Sequence, residues 1–538
     1  MDTNREYNSL RNIISHKTQI KSVTVGTKFV AVFPENIAYY HPSAPVNKVR
    51  VTAMHGATTI TVTYDSNLGI GNIQDTLQSG DIRDIPIDAK SELDKKNSSN
   101  VVIITGTNNI SVEIVSQKNN SIQSALLLPV DLLGKEYQVP PIPNIQGTTS
   151  TASDVNNEVT ERTQFKLILV NPFKDENTIT VGGSSVTLQE NQMVQVWVEQ
   201  GMIGVNKVVS GTGKFLAVFS HSCAVQFNCT CGLLYTPLQP KATTTLTFMV
   251  PPPLYQGASS YLLKTYDGVT EQFTSSSATL FHHQGSVVLQ RPGLLLNLIP
   301  VEEFGSCFVI YTVADTTNWA VIMAPTNSTQ HVKISPTTAV SWTAMAGTNF
   351  SHAEVSLSLN SGKHIIYHES ALMAVWFLGK KVTGAWFGNP AARLSIYPDY
   401  RGCAVVPEEL VVLPAEESWQ KSIQACKDKG LELISLKNEE FQNHIYDKLQ
   451  SDKDGLTEVW MGLRKSSYTG RWYWISDEPL EHVDWAHGSP TDDDEGHCAR
   501  INVTQRAGWT LHECCSLGRP VCYKLPVLLT VGAPAASG

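Results

Sequence analysis

The residues best suited to hold a ligand lie close together, between positions 485 and 514. Four consecutive carboxylates, Asp492, Asp493, Asp494 and Glu495, could supply the hard oxygen ligands that calcium prefers. Runs of like charge are more often solvated faces than ion cages, so a solvated acidic loop is the favoured interpretation. The sequence therefore predicts no metal site, with these carboxylates as the weak candidates.

A second group, His497, His512, Glu513 and Cys514, contains residue types that bind zinc. The favoured interpretation is polar surface residues beside a disulfide cysteine. A Gly-x-Ser-x-Gly elbow, a phosphate-binding glycine loop and a His-Glu-x-x-His motif do not occur. The sequence predicts no catalytic residue, and an enzyme is the most distant of three function classes.

Two amphipathic helices and several short aromatic strands must position these residues. Ser418 is placed to cap one helix, with Gly430 at its C-terminal end. Asn438 is placed to cap a second helix, whose apolar residues recur every four positions. Residues of the strand region are Trp460-Met461-Gly462-Leu463, Trp472-Tyr473-Trp474, Trp485, Cys498, Trp509, Cys514 and Cys522.

This ordered set, within 403–524, resembles the C-type lectin-like domain. That family has a helix Trp and Cys, here Trp419 and Cys426, then a Trp-Ile-Gly-Leu strand, a Trp-x-Trp strand and three further cysteines. The resemblance implies an α+β fold with the disulfides Cys426–Cys522 and Cys498–Cys514. Cys403 and Cys515 are left over. A bridge between them stays open, because the adjacent cysteines at 514 and 515 make the choice of partner ambiguous.

The calcium-dependent sugar site of that family is altered here. Sugar-binding members carry a Glu-Pro-Asn or Gln-Pro-Asp triplet and a Trp-Asn-Asp triplet, where this sequence has Ser489-Pro490-Thr491 and Trp509-Thr510-Leu511. Neutral hydroxyls and an aliphatic side chain are poor calcium ligands. We therefore expect no cofactor and take Trp485, Ser489, Pro490 and Thr491 as the ligand-binding residues.

The region before this domain is rich in short alternating runs of Val, Ile and Thr, which predict an all-β chain of antiparallel sandwich-like modules. Gly26–Phe33 returns as Gly211–Phe219, and Thr59–Val62 returns as Thr178–Val181. A third, weaker copy is indicated near Val321, where residues 321–325 parallel 167–172 and residues 372–376 parallel the Phe215 strand. The predicted domains are a polar arm at 1–20, a β region at 21–400 with repeats at about 21–145, 160–255 and 258–400, the lectin-like domain at 403–524 and a tail at 525–538.

These repeats look like the N-terminal domain of the IgG-Fc-binding protein family over roughly Ser22–Pro398. Leu128–Tyr137 closes the first copy, and Leu234–Pro240 stands near the end of the second. The resemblance implies a secreted, mucus-associated or surface-associated binding protein, with immunoglobulin Fc or mucus components as candidate partners.

The cysteines of the β region are Cys223, Cys229, Cys231 and Cys307. A metal interpretation would combine Cys229 and Cys231 with His221, His282 or His283. The uneven spacing of the sulfurs favours structural disulfides instead, and two are predicted.

Composition and charge exclude other partners. A net charge of -9 over 538 residues offers no basic face for nucleic acid, and no apolar run is long enough to span a membrane. The first residues lack the apolar core of a secretion signal, so we expect that the true start is missing. Glycosylation sequons nevertheless favour an extracellular setting; they lie at Asn97, Asn109, Asn119, Asn228, Asn327, Asn349 and Asn502.

The sequence therefore predicts a secreted or surface-associated binding protein of mucosal or innate-immune type. It recognises protein or glycan ligands without calcium, and the alternative is a calcium-dependent carbohydrate-binding lectin.

Overall fold

The computed structural model is mostly β and divides into two compact units. The N-terminal unit lies within Met1–Val405 and Leu528–Gly538, and the C-terminal unit within Val406–Val527. The residues described are 24–38, 43–65, 68–93, 100–119, 121–143, 164–227, 230–256, 259–274, 277, 279–358, 362–381, 386–451, 457–476, 480–490, 496–503 and 508–529. The predicted fold class is confirmed.

The first module of the N-terminal unit is built around one long strand. Its strands are β1 (Gly26–Ala31), β2 (Val46–Ala53), β3 (Thr58–Thr63), β4 (Ile73–Leu77), β5 (Ile82–Ile87), β6 (Val102–Lys118) and β7 (Ser121–Leu126). The first part of β6 pairs with β1 and β3, and its second part pairs with β2 and β7. Strand β6 therefore runs through two layers, and alternate residues of both layers point into one apolar core.

The second module repeats these pairings strand for strand. It contains β8 (Gly134–Tyr137), β9 (Lys166–Val170), β10 (Asn177–Val181), β11 (Ser184–Leu188), β12 (Met193–Trp197), β13 (Val209–Phe227) and β14 (Thr230–Pro237). The long strand is now β13, joined by β8 and β10 in its first part and by β9 and β14 in its second. Residues 134–137, expected to close the first copy, instead begin the second.

One of the two sequence alignments between these modules matches the topology. Thr59–Val62 and Thr178–Val181 lie in β3 and β10, which occupy the same place in their modules. Backbone amides of Thr59 and Thr178 donate to the hydroxyls of Thr107 and Thr212, at 3.0 and 3.1 Å. The other alignment sets β1 against β13. The strand of the first module that occupies the same place as β13 is β6.

The expected single repeat at about 258–400 is instead part of two modules. The third module holds β15 (Leu246–Met249), β16 (Ser260–Lys264), β17 (Val269–Phe273), β18 (Leu280–His283), β19 (Val287–Arg291) and β20 (Leu294–Asn297). The fourth holds β21 (Cys307–Tyr311), β22 (Thr317–Pro325), β23 (Val332–Ser335), β24 (Thr343–Ala344), β25 (Phe350–Ser356), β26 (Lys363–His368), β27 (Ala374–Lys380), β28 (Trp386–Pro390) and β29 (Ala392–Ser395). The long strand is broken in both, into β18 and β19 and into β26 and β27.

Each module shares an apolar core with the next, and the fourth shares one with the first. Residues packed into the core of a preceding module include Val218 of the second, Leu295 of the third, Trp376 of the fourth and Ile122 of the first. One edge strand of each module, namely β7, β14, β20 and β28, contacts that of the next module in this order, and β28 contacts β7. The four modules therefore form a closed ring.

The disulfides of the N-terminal unit differ from the prediction. Cys223 is bonded to Cys231, and Cys307 is bonded to Cys403. The bridge left open between Cys403 and Cys515 is not formed, because Cys307 in β21 holds Cys403. Cys229 lies outside the described residues.

The C-terminal unit combines two helices with a mixed sheet. Its helices are α1 (Trp419–Lys427) and α2 (Glu439–Ser451). The remaining strands of the chain are β30 (Ala404–Val406), β31 (Glu409–Val412), β32 (Glu432–Leu433), β33 (Glu458–Lys465), β34 (Trp472–Trp474), β35 (Cys498–Asn502), β36 (Trp509–His512), β37 (Arg519–Lys524) and β38 (Val527–Leu528). The sheet order is β31-β37-β33-β35-β36, with β32 on β37 and β34 on β33. No helix among the described residues of the chain is long and apolar enough to cross a membrane.

Both predicted helix starts are confirmed. The Ser418 hydroxyl accepts from the Lys421 amide at 3.4 Å, and the side-chain oxygen Oδ1 of Asn438 accepts from the Phe441 amide at 2.8 Å. The indole N–H of Trp419 donates to the carbonyl of Met461 at 2.8 Å, so this side chain joins α1 to β33.

The disulfides of this unit connect its elements. Cys426–Cys522 joins α1 to β37, and Cys498–Cys514 joins β35 to the segment after β36. Cys515 is exposed and forms no disulfide with a described residue.

Glu408, just before β31, is bonded to three side chains that the sequence did not single out. His444 Nε2 lies 2.5 Å from one carboxylate oxygen, Lys448 contacts the same oxygen, and the Tyr523 hydroxyl donates to the other at 2.7 Å. Burial opposes ionisation, but these hydrogen bonds prevail and hold the pKa of Glu408 well below its usual range. The cluster joins the segment at the start of the C-terminal unit to α2 and β37.

We expect the double variant Cys426→Ser/Cys522→Ser to destabilise the C-terminal unit by about 4–5 kcal/mol, because the bridge closes a loop with a sequence separation of 96. The matched double variant Cys223→Ser/Cys231→Ser opens a loop with a separation of only 8, and should destabilise the N-terminal unit by about 2–3 kcal/mol. Urea unfolding followed by tryptophan fluorescence measures both. Equal losses would contradict the loop-length argument.

We expect Glu408→Gln to lower the unfolding free energy of the C-terminal unit by about 1–3 kcal/mol at pH 7. Since the folded pKa lies below the ordinary value of 4.5, this stabilisation is present above that pH and is lost as the pH falls below it. Thermal unfolding from pH 3 to pH 7 should therefore show the two proteins converging in acid. The neighbouring exposed residue provides the control, Glu409→Gln; equal effects of both variants at pH 7 would refute the role of the cluster.

Candidate ligand-binding face of the C-terminal unit

Trp485 lies in a cluster of tryptophans beside the edge strand β36. Its ring centroid is 4.7 Å from that of Trp472 and 5.5 Å from that of Trp509, and the rings are tilted or perpendicular to one another. Trp509 is fully buried, whereas Trp472 and Trp485 are half-buried. The cluster therefore presents apolar surface to solvent from a support that is part of the core.

The segment from Asp484 to Pro490 is held against β36 by hydrogen bonds. The Trp509 amide donates to the Asp484 carbonyl at 2.7 Å, and the Ala486 amide donates to the Trp509 carbonyl at 2.9 Å. Gly508 permits this approach, because a Cβ there would lie 2.7 Å from the backbone of Asp484 and of Ala486, and its φ is +85°. The backbone that carries Trp485 is thus fixed in position.

Gln442 of α2 reinforces the same segment. Its side-chain amide donates to the Asp484 carboxylate, and its carbonyl oxygen accepts the indole N–H of Trp509 at 2.9 Å. One side chain therefore joins α2, β36 and the segment before Pro490. No sequence pattern indicates this role, because it depends on α2 lying beside β36.

Ser489 and Pro490 continue from this support. The Ser489 amide donates to the Ala486 carbonyl at 2.9 Å, and Pro490 is exposed. Thr491 and the carboxylates of residues 492–495 lie outside the described residues. Of the predicted ligand-binding residues, the structure thus brings together Trp485, Ser489 and Pro490, and we name this surface, with Trp472, the tryptophan face.

Thr510 is engaged away from the tryptophan face. Its hydroxyl donates to a Glu458 carboxylate oxygen at 3.1 Å, and the other oxygen of Glu458 lies 3.1 Å from His512 Nε2. Side chains alternate along β36, so Thr510 and His512 point to one side of the sheet and Trp509 and Leu511 to the other. Thr510 and Leu511 therefore do not act together at one site.

The Glu458 cluster also contains Arg500. Its guanidinium carbon lies 4.0 Å from the ring centroid of Trp460, and its Nη2 donates to the Leu517 carbonyl at 2.7 Å. Burial and the positive charge of Arg500 lower the pKa of His512, and Glu458 offsets part of this effect. The cluster pairs Glu458 with Thr510 and His512, and the sequence analysis did not anticipate it.

The zinc alternative does not correspond to a site. The sulfur of Cys514 is bonded to Cys498, and His512 is paired with Glu458. Within the part of the chain that the structure describes, no three His, Cys, Asp or Glu side chains are placed to share a metal ion.

Comparisons with known proteins place two domains on the chain. Residues 415–524 match the family described as "Lectin C-type domain", and residues 123–289 match the family described as "IgGFc binding protein". The second match begins in the last strand of the first module, covers the whole second module and ends within β19 of the third.

Individual relatives match over about a fifth of the chain. It is 33% identical over 114 residues to "CD209 antigen-like protein A" of Mus musculus, a match that covers 21% of this chain and 45% of that protein. It is 30% identical over 110 residues to "C-type mannose receptor 2" of Mus musculus, covering 20% of this chain and 7% of that protein. The chain thus spans less than half the length of the relatives it matches.

Among solved structures, human lithostathine aligns with 22% of this chain and 82% of its own, at 18% identity and a TM-score of 0.21. The two family matches, over residues 123–289 and 415–524, place an IgGFc binding protein domain and a C-type lectin domain in the chain.

Proposed function

We propose that the protein is a secreted or surface-associated binding protein whose C-terminal unit recognises a protein or glycan ligand without calcium through the tryptophan face. The observation that carries this proposal is the position of Thr510. Its hydroxyl donates to Glu458, and Leu511 beside it has no ligand atom. Calcium needs six to eight oxygen ligands, several of them charged, and these two positions supply none.

The tryptophan face has the properties of a recognition surface. Trp472 and Trp485 are both partly exposed, and their ring centroids are 4.7 Å apart. Aromatic rings bury large areas at low entropic cost and bind the apolar faces of sugars or of protein side chains. Because hydrogen bonds to Trp509 and Gln442 fix this face, little ordering is needed when a ligand binds.

A calcium-dependent lectin is the second candidate, supported by a specific feature. Four consecutive carboxylates, residues 492–495, follow directly after Pro490. They could rebuild an oxygen cage beside the tryptophan face from a new set of ligands. The names of the matched relatives, which include a mannose receptor, favour carbohydrate as the ligand class in either case.

The N-terminal unit supports an extracellular binding role. Disulfides occur in both units, as is typical of oxidising compartments. The sequon asparagines Asn109, Asn119, Asn327 and Asn349 are exposed and so accessible to glycosylation. We propose that the ring of modules is a rigid, glycosylated platform for binding immunoglobulin Fc or mucus components, and that no step of its function is catalytic.

Calcium is expected to leave the stability of the C-terminal unit unchanged. A ligand that binds only the native state stabilises it by RT ln(1 + [L]/Kd), so a true site would raise the melting temperature in millimolar calcium. Thermal unfolding with calcium or with EDTA checks this. A rise of several degrees that is abolished in Asp493→Asn/Asp494→Asn would refute calcium independence and favour the second candidate.

Binding should depend on the tryptophan face. On a glycan array probed in EDTA, we expect Trp472→Ala and Trp485→Ala to lose about tenfold or more in signal for any glycan bound by the unchanged protein. Tyr473→Ala is the control, because Tyr473 is 39% exposed and points to the other side of β34 from Trp472. The melting temperature of each variant separates lost binding from lost folding. Equal binding by all three variants would exclude this face.

A further inference from the structure

A cavity of about 360 Å³ lies within the N-terminal unit, where the four edge strands β7, β14, β20 and β28 meet. Each of these strands contributes to its wall, through Ala125 of β7, Thr236 of β14, Leu295 of β20 and Pro390 of β28, among others. The volume lies in the range of pockets that hold small ligands, about 300–1,000 Å³. Ring closure therefore creates a pocket that no single module contains.

The walls of the cavity are mostly apolar. Leucines, isoleucine and phenylalanine line it, including Leu128, Leu246, Phe248, Leu298 and Ile299. Several polar groups at its surface are already satisfied within the protein. The Ser124 hydroxyl donates to Asn389 Oδ1 at 2.7 Å, and both carboxylate oxygens of Glu302 accept from the Thr247 amide.

Two acceptors in the wall are not satisfied. Asn297 is 8% exposed, and its Nδ2 donates to Thr236 and Pro237, but its Oδ1 accepts no hydrogen bond from a described residue. The Glu303 carboxylate likewise has no hydrogen-bond donor among the described residues. Burial raises the pKa of Glu303, and the charge of Arg393 offsets only part of this effect. A buried acceptor without a donor, here Asn297 Oδ1, is costly, and the half-buried Glu303 carboxylate lines the same cavity, so both groups favour a ligand that donates.

The charged residues of the cavity wall indicate the charge of the ligand's hydrogen-bond donor. Its charged residues are Lys241, Glu302, Glu303 and Arg393. Lys241 is paired with Glu136 outside the wall, at 3.0 Å. The two carboxylates and the single guanidinium that remain leave one negative charge in excess, which a monocation would neutralise.

We propose that this cavity is a binding site for a small amine with an apolar body. The ammonium group donates to Glu303 and to Asn297 Oδ1, and the body contacts the leucine and phenylalanine side chains. The site is independent of the tryptophan face and of the proposed function of the C-terminal unit. It depends on all four modules, because each of them supplies part of the wall.

Three probes with the same apolar body test the proposal, namely 4-phenylbutylamine, 4-phenylbutyrate and butylbenzene. Calorimetric titration of the full chain should show that the amine binds about tenfold or more tightly than the other two, because a hydrogen bond to a charged group is worth that much. The amine should also raise the melting temperature of the N-terminal unit. Absence of amine binding, or tighter binding of the carboxylate, would overturn the proposal.

Variants locate the binding. Glu303→Gln should weaken the amine about tenfold and leave butylbenzene unchanged, because only the charged contact is lost. Ala242→Trp, at a half-buried position of the wall, should block all three probes by filling the cavity. Glu271→Gln, a carboxylate outside the wall, is the matched control and should bind like the unchanged protein. Amine affinity that is equal in Glu303→Gln and in the control would place the binding elsewhere and refute the assignment.

Discussion

The apolar surface shared between neighbouring modules is the interaction on which the N-terminal unit depends. Each module is a small two-layer sandwich, and part of its apolar surface packs into the core of a neighbour. Because the fourth module packs against the first, no module is left with an uncovered end, unlike the terminal repeats of an open array. Closure also brings four edge strands together and so creates the cavity at their meeting point.

The C-terminal unit meets the same need by other means. A domain of this size buries a limited core, and covalent and ionic links supplement it. Two disulfides and the bonds to Glu408 tie α1, α2 and β37 to the rest of the sheet. The tryptophan face rests directly on this core through Trp509, so its geometry follows from that of the fold.

Sequence pattern is sufficient to predict an element when the interactions that form it are local. The two helices were predicted from their caps and apolar spacing, since a capping side chain acts on amides only three residues away. The repeats are less visible in the sequence. Among its described residues the third module has no counterpart of the β3–β4 hairpin, and its long strand is broken, so its sequence period differs from that of the first two. Similar alternating runs in β1 and β13 also aligned strands that occupy different places, because alternation reports burial and not the partner strand.

The sequence by itself determined the β character of the chain, the two helices and the two recognisable domains. Only the tertiary structure decided which distant groups meet. Cys307 forms a disulfide with Cys403 at a sequence separation of 96. Gln442 accepts a hydrogen bond from Trp509, and Thr510 donates one to Glu458. Residue type and spacing specify what a side chain can do, but the partner is set by the packing of elements far apart in the chain, and this packing has no signature in any single segment.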